Sequence, residues 1–345
     1  MSRIDERFAA CRAAGRPAFV AYLTAGDPSA ARTVAACLEL ERGGADVIEL
    51  GVPFSDPIAD GPVIQRASER ALARGTTLAQ VLDMVREARA AGLGVPVVLF
   101  SYLNPLLRFG LRELPAAARA AGCDGALVTD LPIDGFRRSG DPSAGPRDWA
   151  EEVSDDAQRP ERRDSLPARA AVDATSRTDA PPPPNADLAA RARASLALGP
   201  SGATSRTDAP PPPNPQGIPG EWIAACRSAE LDTVFLAAPT SPPARLEAIA
   251  AASRGFVYAV SRTGVTGEQV ALSDDARPLV ERLRAGGKPV ALGFGIATPE
   301  QVAAAGAVAD GVVVGSALVR FLEEHPEGDL AERVRWLRSA LENSR

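Results

Sequence analysis

The sequence predicts an α/β fold: a single (β/α)8 TIM barrel with an N-terminal helix and a largely disordered insertion after strand 4. Eight short apolar runs, rich in β-branched residues, alternate with Ala/Leu/Arg stretches of helical period, the pattern of repeated β–α units that build a parallel sheet. A Pro-rich tract of 81 residues breaks this rhythm once, and the 264 residues outside it come close to the ~250 typical of one barrel.

The elements follow in order. Residues 4–14 read as a helix ahead of the first strand. The strand-like runs fall at 18–23, 47–50, 95–100, 125–128, 233–237, 256–260, 289–292 and 311–314, and eight is the number that closes this kind of barrel. A last helix is expected over 330–341. Residues 1–136 and 218–345 therefore make one catalytic barrel domain, and 137–217 form the insertion. Its only aromatic residue is Trp149, and ATSRTDAPPPPN occurs twice, at 174–185 and 203–214. That composition buries too little apolar surface to offset ordering entropy, so disorder with polyproline II pieces is expected.

Composition excludes several kinds of chemistry. With 45% hydrophobic residues and a net charge of -6, the chain can bury a substantial core, and its acidic balance argues against nucleic acid as a partner. No run of 18 apolar residues exists to span a membrane, and the first 15 residues lack the apolar core of a secretion signal, so a cytoplasmic location is expected. Cys11, Cys37, Cys123 and Cys226 are widely spaced and read as reduced core residues rather than metal ligands. The only histidine is His325, which rules out a histidine triad and multi-histidine metal sites. The only lysine, Lys288, directly precedes a strand, at the mouth of the barrel where catalysis is not expected, so a Schiff-base cofactor is not expected in this chain. Carboxylates, hydroxyls and backbone dipoles are left to do any chemistry.

In such a barrel the chemistry sits where strands end. Glu49 lies at the end of strand 2, where an unpaired carboxylate costs several kcal/mol unless it is protonated. Asp60 follows in a turn-rich loop with Asp56; two acids placed this way can divide proton donation from proton removal. Asp60 could equally be a turn former or a helix cap, and the exposed setting of Asp56 suits contact rather than catalysis. Tyr102 and Asn104 follow strand 3, Thr129 and Asp130 follow strand 4, and Tyr258 lies in strand 6. Taken alone, both tyrosines read as packing residues with a satisfied hydroxyl. Strand 6 runs into SRTGVTG (261–267), whose glycines and hydroxyls suit a mobile lid. Strands 7 and 8 lead into Gly293-Phe294-Gly295 and Val314-Gly315-Ser316. Either alone reads as a tight turn, whereas both together suit a phosphate held on backbone N–H groups.

These segments together resemble the tryptophan synthase α subunit family. The resemblance is carried by LTAGDPS (23–29), IELGVPFSDPIADGPVIQ (48–65), SYLNPLLRFG (101–110), TDLP (129–132), SRTGVTG, GFGI (293–296) and GSALV (315–319), in that order. It implies reversible retro-aldol cleavage of indole-3-glycerol phosphate to indole and glyceraldehyde 3-phosphate. By match to the family motifs, Glu49 would be the general acid/base and Asp60 would accept the indole N–H. Tyr258 would assist near the glycerol moiety, and a lid carrying Arg262, Gly264 and Thr266 would close onto Asp60. Phosphate would rest on Gly267, Phe294, Gly295, Gly315 and Ser316, and Tyr22, Phe100, Leu127 and Leu236 would line the indole pocket. The resemblance further implies an α2β2 complex in which the β subunit holds pyridoxal phosphate, with this chain holding no cofactor or metal. Asp56, Asn104 and Pro132 would face that partner. Two other readings stand beside it: a free-standing lyase that would use the same residues, and a barrel whose insertion makes it chiefly an interaction protein with residual or no catalysis. The insertion begins a few residues after Pro132, beside the expected partner surface.

Overall fold

The computed structural model describes residues 1–131, 133, 217–260, 275–293 and 295–342. The tract at 137–217, with the exception of Gly217, lies outside the described residues.

The chain begins with helix α1 (Arg3–Ala13), started by a reciprocal cap between Ser2 and Asp5. Strands β1 (Ala18–Thr24), β2 (Val47–Gly51), β3 (Val97–Ser101) and β4 (Gly125–Val128) follow. Between them run α2 (Ala30–Gly43), α3 (Pro62–Ala73), α4 (Leu78–Ala90), α5 (Leu103–Phe109) and α6 (Glu113–Ala121). After the break come α7 (Ile218–Ser228), β5 (Asp232–Val234), β6 (Leu236–Ala237), α8 (Pro243–Ala252), β7 (Val257–Val260) and α9 (Ala276–Arg284). The barrel ends with β8 (Val290–Gly293), α10 (Pro299–Gly306), β9 (Gly311–Val314), α11 (Ser316–Glu324) and α12 (Leu330–Glu342). The third strand starts at Val97 rather than at residue 95: Pro96 accepts the Ile48 N–H at 2.9 Å but has no N–H of its own to give, and the Val95 N–H goes to Glu41.

All strand pairs are parallel, in the order β5-β4-β3-β2-β1-β9-β8-β7-β6. The single fifth strand expected from sequence is divided at Phe235. Its lower half pairs with β4 and its upper half with β7, while the Phe235 carbonyl accepts the Tyr258 N–H at 3.0 Å. This shared strand joins the two edges of the sheet, as a tilted barrel requires. The nine strands among the described residues are thus eight staves of a barrel.

Alternation along the staves sorts side chains into two cores. Phe19, Ala21, Leu23, Ile48, Leu50, Val97 and Leu99 point outward and pack under the helices. Val20, Val47, Val98, Leu127, Val234 and Val313 point inward, and Ile4, Phe8 and Cys11 of α1 close the barrel from below, with the Phe8 and Phe256 rings 5.3 Å apart. All four cysteines are buried and free.

The N-terminal rim is held by acids placed just ahead of strands. Asp46 accepts the Phe19 N–H at 2.9 Å and pairs with Arg16 at 2.6 Å. Asp124 accepts the Val97 N–H at 2.9 Å and pairs with Arg89 at 2.7 Å. Asp310 accepts the Val290 N–H at 3.0 Å and pairs with Arg284 at 3.1 Å. Each carboxylate therefore ties one strand to its neighbour and satisfies an N–H at the strand start.

This rim should govern stability and leave chemistry untouched. Asp124→Ala strips a buried acceptor from Val97 and leaves the half-buried Arg89 without its carboxylate, so we expect a loss of about 3 kcal/mol. Urea unfolding followed by Trp222 fluorescence measures it, and kcat should stay at the wild-type value.

Candidate active site

The C-terminal ends of the staves converge on one polar cluster. Tyr22 and Glu49 are register partners on β1 and β2, Phe100 and Leu127 on β3 and β4, and Leu236 and Tyr258 on β6 and β7. Parallel pairing and alternation thus bring into one inward-facing layer six residues that sequence analysis singled out separately. The Tyr22 and Phe100 rings meet edge to face at 5.2 Å. Phe100, Leu236, Gly315 and Ser316 remain half-buried, so this layer opens to solvent at their side of the barrel.

Glu49 is fully buried, and neither carboxyl oxygen has a hydrogen-bond partner among the described residues. Burial alone pushes its pKa up to about 8, because nothing nearby compensates for the lost hydration of the charged form. The group is therefore a protonated acid at neutral pH. Asp60 sits in the loop after β2 and is 7% exposed. Burial raises its pKa to about 6, and a hydrogen bond from the Tyr102 hydroxyl to Oδ2, at 2.9 Å, holds it below Glu49. At pH 7 the cluster accordingly contains one neutral carboxyl and one carboxylate, the division of states that general acid/base chemistry uses. The phenols of Tyr22 and Tyr258 are pushed well above their ordinary pKa, by burial first and by the charges of both acids after it.

Two glycines make room for these tyrosines. A side chain at Gly51 would collide with the Tyr22 hydroxyl, and one at Gly293 with the Tyr258 hydroxyl. The first glycine of the GFG segment therefore seats a tyrosine. Gly295, in the left-handed region at φ 74°, has open space around it. Gly315 precedes α11 without a side-chain cap, so the first-turn N–H groups of Ser316 and Ala317 have no intrahelical acceptor and can receive an anion.

Other expected residues are distributed as follows. Asp56 and Asn104 are exposed, on the β2–α3 loop and on α5. Arg262, Gly264, Thr266, Gly267, Phe294 and Pro132 lie outside the described residues. Lys288 precedes β8 at the opposite end of the barrel, and His325 follows α11 with its ring 5.2 Å from Phe321. No group of three His, Cys, Asp or Glu able to hold a metal occurs among the described residues. No described helix is long and apolar enough to cross a membrane. Tyr102 is buried against Phe54 with its hydroxyl satisfied, as expected of a packing residue, but the partner that satisfies it is Asp60, a pairing the sequence did not single out.

A parallel barrel, with two buried carboxyls at the C-terminal ends of its strands and an uncapped helix start beside Tyr22, defines the class: a (β/α)8-barrel protein whose polar cluster suits acid–base chemistry. The family model described as tryptophan synthase alpha chain matches residues 8–138 and 214–343. The chain is 41% identical to the tryptophan synthase alpha chain of Solibacter usitatus over 333 residues, covering 96% of this chain and 93% of that one. It is also 41% identical to that of Laribacter hongkongensis, covering 94% and 91%. Among solved structures, it superposes on tryptophan synthase from M. tuberculosis with a TM-score of 0.67 at 31% identity, covering 99% of this chain and 100% of that one. Subunit alpha from Legionella pneumophila gives 0.67 at 28%, covering 99% of each. The chain belongs to the tryptophan synthase alpha chain family, which makes it a lyase of tryptophan biosynthesis.

The state of Glu49 has a consequence for stability. Its folded pKa of about 8 lies above its ordinary 4.5, so the folded form binds the extra proton in between and stability falls as pH rises through that window. Glu49→Gln cannot ionise and should escape this loss. We expect the variant to match wild type near pH 4.5 and to exceed it by on the order of 4 kcal/mol above pH 8. Denaturant unfolding across that range tests it; parallel curves would contradict the assignment.

Proposed function

We propose that the chain catalyses reversible cleavage of indole-3-glycerol phosphate to indole and glyceraldehyde 3-phosphate, with Glu49 as general acid/base and Asp60 as partner of the indole N–H. The observation that carries the reading is the unequal setting of the two buried carboxyls: Glu49 has no hydrogen-bond partner among the described residues, whereas Asp60 accepts one from the Tyr102 hydroxyl at 2.9 Å. A neutral Glu49 donates its proton to indole C3, and positive charge develops at the ring nitrogen, where the ionised Asp60 stabilises it. The Glu49 carboxylate then takes the proton of the glycerol hydroxyl next to the ring. As that oxygen becomes the aldehyde, the carbon–carbon bond breaks and its electron pair returns to the ring, releasing indole. Glu49 ends protonated, as it began. Tyr258 assists beside the glycerol chain, and Tyr22, Phe100, Leu127 and Leu236 hold the ring.

The phosphate would rest on the backbone N–H groups of Gly315 and Ser316, at the start of α11, and on the segments around Gly267, Phe294 and Gly295, with Arg262, Gly264 and Thr266 in the closing lid. Indole passes to a β subunit in an α2β2 complex through a surface that includes Asp56, Asn104 and Pro132. Pyridoxal phosphate belongs to that partner. This chain's one lysine sits at the far end of the barrel from Glu49 and is not placed to form a Schiff base there. The alpha-chain relatives favour this subunit reading over a free-standing lyase or an interaction protein, and a cytoplasmic location accords with it.

Indole release from indole-3-glycerol phosphate, assayed with a β subunit present, tests the roles. Glu49→Gln should lose at least ~10²-fold in kcat, the scale of a general acid/base. Asp60→Asn should lose less, since an amide oxygen still accepts the N–H while giving up the charge. Near-normal turnover in folded Glu49→Gln would overturn the assignment.

A further inference from the structure

We propose that Tyr102 is the positioning residue for Asp60: it fixes the carboxylate's orientation, holds it ionised and anchors the loop that carries it. This rests on the reading of Asp60 given above and adds a residue to that site.

The geometry is that of a three-point grip. Tyr102 stands just past β3, as N-cap of α5, with only 2% of its surface exposed. Everything it grips comes from the β2–α3 loop. Its ring packs on Phe54 at 5.1 Å, its hydroxyl oxygen accepts the Ala59 N–H at 3.1 Å, and the same hydroxyl donates to Asp60 Oδ2 at 2.9 Å. A phenol has one proton to give, and the Ala59 N–H occupies an acceptor position, so the hydroxyl is directed to donate to the acid.

Asp60 itself lies outside regular structure. Its backbone is held by a turn bond to the Pro57 carbonyl at 3.0 Å and by Gln65 Nε2 on its own carbonyl at 2.9 Å. Neither restrains the side chain. Among the described residues, the Tyr102 bond is the only one that does, and it leaves Oδ1 without a donor and available to a ligand N–H. The loop needs such an anchor, because its tip is exposed at Asp56 and at Ile58, the latter 82% exposed.

The hydrogen bond also favours the ionised form of Asp60. Glu49, Tyr22 and Tyr258 are the other ionisable groups in the cluster, from β2, β1 and β7, and each is buried and neutral at pH 7. Among the described residues, Tyr102 is thus the one side chain that lowers the pKa of Asp60. Burial and the adjacent Asp60 raise the phenol's own pKa far above neutrality, so it remains a donor throughout.

Tyr102→Phe removes one oxygen and keeps the contact with Phe54. The carbon-13 titration of the Asp60 carboxyl in the substrate-free protein, assigned by its absence in Asp60→Ala, should move roughly one pH unit higher in this variant. With a β subunit present, kcat/KM should fall about tenfold, and its acidic limb should move to higher pH with the titration. In an Asp60→Ala background, Tyr102→Phe should cause no further loss. If the Phe variant unfolds, replacing the three tyrosines by 3-fluorotyrosine, a stronger phenol donor, should lower the Asp60 titration instead. An unmoved Asp60 titration, or an equal loss in the Asp60→Ala background, would overturn the proposal. The substrate-free titration does not depend on the reaction: lack of indole release by wild type would count against the proposed function and leave the test of Tyr102 intact.

Discussion

The site depends on one unfavourable burial: Glu49 stands inside the barrel, without exposure and without a hydrogen-bonding neighbour among the described residues. An ionised carboxylate there would forfeit hydration with nothing in return, so the protein keeps the proton on it. A surface glutamate is spent as a proton donor well below neutrality. Glu49 is loaded at pH 7 because of where the second stave points it. Burial raises Asp60 less far, and among the described residues the Tyr102 phenol offsets part of that rise; the resulting separation between the two carboxyls is what suits the site to acid–base chemistry.

A barrel can carry such a group because much of its polar stabilisation lies at the opposite rim. The pairs Asp46–Arg16, Asp124–Arg89 and Asp310–Arg284 lock strand starts at the N-terminal rim, while α1 seals the interior with Ile4, Phe8 and Cys11. The C-terminal ends are then free to hold an uncompensated acid, glycines that make room for tyrosine rings, and an uncapped helix start. These rim pairs lie at the mouth opposite the site, so a change there can leave the site intact.

Much of this was legible in the sequence because it is local. Eight apolar runs marked the staves, and Glu49 stood out as a charge inside one of them. Parallel register did the rest, since residues at equivalent strand ends must meet. What was not legible depends on distant partners. The division of the fifth strand at Phe235 follows from closure, which pairs its halves with different neighbours. The rim acids precede their strands visibly, but the arginines that hold Asp46, Asp124 and Asp310 lie 30, 35 and 26 residues away. Tyr102 read as packing because an aromatic at a strand end usually is; only the fold shows its hydroxyl reaching 42 residues back to Asp60.

The most direct test of the central claim is the protonation state of Glu49 itself. Infrared difference titration of wild type against Glu49→Gln isolates the carbonyl band of that one protonated carboxyl. The band should be present at pH 7 and disappear with a midpoint near 8. A band already lost at pH 7, with a midpoint near the ordinary 4.5, would contradict the claim.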